Sequence, residues 1–228
     1  VTEERVGAHV APAWRRATAG EPRWAASIGV LIAVALEGSL PAEVAVRPRW
    51  LVPVVAMVLL SALLGSNPRR IDRRSRALRS ASLALTAAIS AANAYSALRL
   101  VSHLLEGTST SDPTRLLLTG ASIWLTNVVA FGLWYWELDR GGPAARAHAS
   151  NIYPDFLFAQ MQTPHLAPPD WEPAFLDYLY LSFTNATAFS PTDVLPLSRW
   201  AKLTMLVQSA LSLTTVALVV ARAVNTLR

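Results

Sequence analysis

Apolar residues gather in five long runs, at residues 24–41, 50–64, 81–105, 116–138 and 200–224, separated by polar and often charged segments. A helical crossing of a bilayer takes about 20 mostly apolar residues, so each run reads as a membrane-crossing helix. The first is the weakest, because Glu37 and Pro41 interrupt its end. In the second, Pro53 falls in the first turn, where a missing N–H costs little. The third is rich in Ala, Ser and Leu, and small residues let helices approach closely. In the fourth, Thr126 and Asn127 fall mid-membrane and need partners on a neighbouring helix. Trp134, Tyr135 and Trp136 near its end read as an aromatic belt. In the fifth, Gln208, Ser212, Thr215 and Arg222 share one helical face. A polar stripe of that kind serves either a helix interface or a wet pore.

A shorter element precedes the last run. Residues 178–187 read as a helix too short to cross, and residues 188–196 as a tight polar turn with Ser, Pro, Thr and Asp. A half-crossing helix, a polar turn and a full crossing together make a re-entrant pore loop. Irregular backbone at membrane depth is tolerated only where it is buried in protein or lines water. Residues 139–173 hold prolines at 143, 154, 164, 168, 169 and 173, so no crossing is expected there. Residues 152–161 are apolar in patches and read as a short helix packed on the bundle. Residues 1–23 are polar and basic, with a short surface helix expected around residues 11–19.

Composition narrows the class. The chain has 228 residues, 53% of them hydrophobic and 15% charged. Those values describe a multi-pass membrane protein with no room for a soluble domain of ordinary size. Cysteine is absent, which excludes disulfides and thiolate metal sites. His148 and His165 have no neighbouring ligands at metal spacing and read as loop residues. No nucleophile–base pair or phosphate loop is visible, so no enzyme, cofactor or metal is expected. The net charge of +5 reads as topology and lipid contact rather than nucleic-acid binding. Residues 67–80 carry Arg69, Arg70, Arg73, Arg74, Arg76 and Arg79 against Asp72. This is a solvated, orientation-fixing loop, with an anionic-lipid contact as the sharper reading. Arg99, His103 and Glu106 share one face near a helix end, as an interfacial cluster or an ion or proton site.

The last quarter of the chain resembles the pore region of tetrameric potassium channels. Ser182, Ala186 and Thr187 fall where the channel pore helix has Ser, Ala and Thr. Asp193 falls on the aspartate that closes the channel signature. Pro196, Trp200 and Lys202 fall on the Pro, Trp and basic residue opening the inner helix, and Ser212 on its hinge glycine. The filter itself departs from the pattern, reading Ala188, Phe189, Ser190, Pro191, Thr192, Asp193. Both filter glycines are replaced, so the alternating backbone that lines up carbonyls is not expected. The whole chain also resembles a family of small bacterial inner-membrane proteins classed as a domain of unknown function, through residues 175–180 and the turn and helix that follow.

The resemblance implies an all-α integral membrane protein, a homotetramer, with about five transmembrane helices plus a re-entrant pore helix and loop. Residues 1–23 form a basic segment, 24–115 a three-helix peripheral region, and 116–228 a pore-like module. Within that module, 116–138 is the outer helix, 139–173 the Pro-rich loop, 174–196 the pore helix and loop, and 198–226 the inner helix. The implied function is a weakly selective cation channel in the bacterial inner membrane, with monovalent cations in the pore and lipids around it. Thr187, Ala188, Phe189, Ser190, Pro191, Thr192 and Asp193 form the ion filter. Gln208, Ser212 and Thr215 line the pore, and Asp170, Glu172 and Asp177 the vestibule. The alternative is a channel-like scaffold that does not conduct and binds lipid or a protein partner. The Arg-rich loop belongs in the cytoplasm, which makes the pore loop enter from that side, inverted relative to potassium channels.

Overall fold

The computed structural model describes residues 11–66, 70–71, 75–108, 112–187 and 193–226. Most of them are helical. The long helices are α1 (Trp24–Ser39), α2 (Leu51–Ser66), α3 (Arg76–Leu105) and α4 (Pro113–Leu138). After α4 come two short helices, α5 (Pro143–Ala147) and α6 (Ala159–Gln162), then α7 (Phe175–Ala186) and α8 (Arg199–Thr226). Three helical segments are long and apolar enough to cross a membrane: Arg76–Leu105, Pro113–Ala147 and Arg199–Asn225. At 16 residues each, α1 and α2 are shorter.

The helices α1 to α4 alternate in direction, and α4 is the hub, packed against α1, α3, α7 and α8. At one end of the bundle, Leu40 and Val44 after α1 meet Leu100 of α3, Leu116 of α4 and Ala223 of α8. At the other end lie residues 11–23, residues 70, 71 and 75, the segment after α4 and the start of α8. Contacts there include the backbone bond from Ile71 to Glu21 and the side-chain bond from Trp200 to Asp155. This second end is rich in arginine and is called the basic end below.

Close approach at the hub depends on glycine. A Cβ on Gly120 of α4 would lie 2.8 Å from Val219 of α8. Small residues at helix contacts permit such spacing. Ser75 caps α3 by accepting from the Leu78 N–H at 3.5 Å, and Asp112 caps α4 by accepting from Thr114 at 2.9 Å.

The structure departs from the sequence reading in four places. Residues 156–158 are a strand, β1 (Phe156–Phe158), paired antiparallel with β2 (Val194–Pro196), so the fold is not purely α and the expected helix over 152–161 is confined to α6. The alternating Phe156, Leu157, Phe158 suits a strand buried on one face, and only the distant β2 supplies its partner. Second, α3 starts at Arg76, so Arg76 and Arg79 lie on its first turns and not in a loop. Third, the expected aromatic belt is interior: Tyr135 is fully buried and Trp136 nearly so, because α4 is surrounded. Fourth, the expected surface helix near the N-terminus is a single turn, Ala13–Arg15, with Trp14 buried. Arg15 and Arg140 stack on the Trp14 ring, at 4.5 and 5.6 Å from its centroid.

The short helix α7 ends at the expected place, with Thr187 as its C-cap, but starts at Phe175, three residues before the expected 178. It begins beside Glu21 and Trp136 at the basic end and runs antiparallel to α4. Its Ser182 hydroxyl donates to the carbonyl of Val128, in the middle of α4, at 2.6 Å. By Val194 the chain is back at the basic end, paired with β1.

Candidate functional site

The polar face of α8 turns inward. Gln208 is fully buried, Ser212 is 1% exposed and Thr215 6%. Gln208 Oε1 accepts from Tyr135 of α4 at 2.6 Å and from Asn185 of α7 at 2.8 Å. Its Nε2 donates to the carbonyl of Ser182 at 3.0 Å and to its hydroxyl at 2.6 Å. Ser212 accepts from Asn127 of α4 at 2.8 Å. Ser209 donates to Asn185. Thr215 returns its hydroxyl to the Leu211 carbonyl of its own helix at 2.8 Å. Of the three residues expected to line a pore, Gln208 and Ser212 therefore bond to α4 and α7 of the same chain, and Thr215 is buried with its hydroxyl on its own helix. The opposite face of α8 is apolar and exposed, with Leu203, Leu206, Leu213, Val216 and Val220.

A cavity of about 160 Å³ lies on this inner face between α3, α4 and α8. Asn93, Asn127, Ser212 and Thr215 are in its wall, and Asn93 Oδ1 has no partner among the described residues. The polar groups in a mostly apolar wall, with that volume, suit a few waters.

The basic end holds a buried charge network that the sequence reading missed. Glu21 and Arg146 form an ion pair at 2.9 Å with side chains 7% and 5% exposed. Trp136 Nε1 donates to the same Glu21 oxygen, and the Phe175 N–H to the other at 3.2 Å. Arg146 Nη1 also donates to the carbonyls of Trp136 and Asp139, at 2.7 and 3.0 Å. Asp139 accepts from the Tyr178 hydroxyl at 2.6 Å and from the Asp155 N–H at 2.8 Å. Asp155 in turn accepts from the Arg140 N–H at 2.9 Å and the Trp200 indole at 2.8 Å. One network thus joins the N-terminal segment, α4, α5, α7, the β pair and α8. Burial pushes the Glu21 carboxyl above the usual carboxylate range, opposed by the Arg146 guanidinium. Buried charges survive best when paired and hydrogen-bonded, and Glu21 and Arg146 meet that condition across 125 residues, while Asp139 is held by hydrogen bonds and Arg140 Nη2 has no partner among the described residues. The signal available in the sequence was the density of charge in the turn after α4, with Glu137, Asp139, Arg140 and Arg146 beside glycine and proline.

The other expected site residues scatter. Ala188, Phe189, Ser190, Pro191 and Thr192 lie outside the described residues, as do Arg69, Arg73 and Arg74. Thr187 closes α7 and donates to the Thr184 carbonyl at 2.9 Å. Asp193 is exposed just before β2. Asp177 caps its own helix, accepting from the Ala174 N–H at 2.8 Å. Glu172 accepts from Thr18 at 3.0 Å, and Asp170 lies in a surface hollow with Arg16 and Arg70. The acidic vestibule residues thus face the basic N-terminal segment and their own helix. Arg70 donates to the Gly20 carbonyl at 2.7 Å. At the opposite end, Arg99 reaches the Glu43 carbonyl at 3.4 Å, and Arg115 pairs with the Glu43 carboxylate at 3.3 Å on the surface. His148 and His165 are exposed. Among the described residues no group of acidic and histidine side chains could hold a metal ion. No protein-family model, curated protein or solved structure matches this chain.

Proposed function

We propose that the chain is a membrane-embedded helical scaffold that does not conduct ions and presents its basic end to anionic partners at the cytoplasmic face. One observation carries this reading. The polar stripe of α8 is spent on α4 and α7 within a single chain, and the face left for neighbours or lipid is apolar. A pore that used this stripe as its polar lining would need it free to face the axis, and its groups are engaged within the chain. In this reading α1 and α2 join the three long helices as crossings, and α7 with the turn after it re-enters from the basic end. The basic end faces the cytoplasm because arginine is concentrated there.

A weakly selective cation channel is the second reading. It is favoured by the course of α7, which enters from the basic end and whose chain returns there at β2. An ion path in that reading runs past the turn ending at Asp193 and cannot use Gln208 or Ser212 without breaking their bonds. Purified protein in liposomes, with a potassium or sodium gradient and an ion-sensitive dye, separates the two. The scaffold reading expects flux at the level of empty liposomes. Flux above that level that falls in Asp193→Asn establishes the channel.

A further inference from the structure

A cavity of about 470 Å³ opens at the basic end between the start of α3 and the turn that follows α4. Among the described residues its wall contains three arginines, Arg23, Arg76 and Arg79, and one carboxylate, Glu137. Arg23 is 6% exposed, and its Nε has no hydrogen-bond partner among the described residues. Glu137 is 3% exposed and accepts from the Ser82 hydroxyl. None of the three arginines has a carboxylate within 4.0 Å among the described residues, where the ion pairs are Arg115 with Glu43 and Arg146 with Glu21. Gly142 makes room for the Arg79 head, since a Cβ there would lie 2.8 Å from Arg79 Nη1. Ser75 and Ser82 also line it, beside an apolar part formed by Ile71, Leu78, Trp136 and Pro143.

A buried guanidinium N–H without a partner, as at Arg23 Nε, is costly, and an anion within reach relieves that cost. Arginine forks match the oxygens of a phosphate group and bind them with charge-assisted bonds. The first turn of α3 brings the positive end of a long helix to the same wall. Among the described residues one carboxylate faces three guanidiniums, a positive excess that suits an anionic ligand.

We infer that this cavity binds a phosphate monoester, held by Arg23, Arg76 and Arg79, with the apolar wall taking the adjoining carbon chain. The inference deepens the scaffold reading by naming what its basic end holds. It needs the bundle to be folded but does not need the absence of conduction. The phosphate comes either from a lipid headgroup or from a soluble ester.

The test uses the full chain in detergent micelles, read by native mass spectrometry for bound adducts. The probes are phosphatidic acid, phosphatidylcholine as the zwitterionic comparison, and glycerol 3-phosphate as the soluble monoester. Phosphatidic acid is expected to bind in preference to phosphatidylcholine. Arg76→Gln with Arg79→Gln is expected to weaken it by on the order of tenfold. Both side chains belong to exposed residues, so the fold should tolerate the change. Arg99→Gln with Arg115→Gln, at the opposite end, should leave binding unchanged. Competition by glycerol 3-phosphate at similar concentration identifies a soluble ester as the ligand, and absence of competition identifies the lipid. Equal adducts in the wild type and the Arg76/Arg79 variant, or no preference over phosphatidylcholine, overturn the inference. Liposome flux on the same preparation reports on the scaffold reading alone, so the two can fail separately.

Discussion

Gln208 of α8 donates to both oxygens that Ser182 of α7 offers, the carbonyl at 3.0 Å and the hydroxyl at 2.6 Å. Its own carbonyl oxygen takes Tyr135 and Asn185. One buried amide therefore ties three helices, and a side chain with its donors and acceptor so engaged is not offering itself to passing ions.

Gln208→Leu should lower stability without changing the helical content. The substitution keeps the bulk but leaves Tyr135, Asn185 and Ser182 without their shared partner. Buried groups stranded in this way cost about 1–3 kcal/mol in soluble proteins, and inter-helix bonds in membranes average nearer 0.6 kcal/mol. A drop of a few degrees in the unfolding midpoint in detergent is expected. An unchanged midpoint would mean that the amide is not a structural tie.

Glu21→Gln should be the more damaging change. It leaves the Arg146 guanidinium buried without its carboxylate. Breaking one side of a buried ion pair costs about 3–5 kcal/mol. The double change Glu21→Gln with Arg146→Met should cost less than the sum of the single changes, because no lone charge remains. Thermal unfolding of the four proteins gives the coupling directly, and additive losses would show that the pair does not act as a unit.

Gly120→Ala should loosen the contact between α4 and α8. The new methyl would meet Val219 at 2.8 Å, so one helix has to shift. Overpacking of this kind costs about 1–3 kcal/mol. Val219→Ala on the same background should recover part of the loss by reopening the space. Failure of that rescue would place the strain elsewhere.

Much of the bundle was legible from hydropathy alone. The runs that became α1, α2, α3, α4 and α8 stand out because apolar length is a local property. The end of α7 near Thr187 was legible for the same reason, since helix propensity gives way there to Ser and Pro. Asn127 announced a need for a partner, and Ser212 is that partner. The sequence could not say that α4 would be surrounded, so the Tyr135 and Trp136 side chains were read as facing the interface. It also left the stripe of Gln208, Ser212 and Thr215 open between interface and pore. That choice depends on which helices pack against α8, a non-local fact. The pairing of Glu21 with Arg146 spans 125 residues, and β1 finds β2 across α6 and α7. No window of sequence contains either pair.

The inward closure of the α8 stripe is most directly tested by reaching for it from water. The chain has no cysteine, so Ser212→Cys creates a single thiol in place of a hydroxyl of nearly the same size. The variant is reconstituted in liposomes and exposed to a membrane-impermeant, charged thiol reagent before and after denaturation. A stripe closed within one chain predicts no modification in the folded protein and full modification once unfolded. Rapid modification of the folded protein would put Ser212 on an aqueous path and contradict the arrangement proposed for α4, α7 and α8.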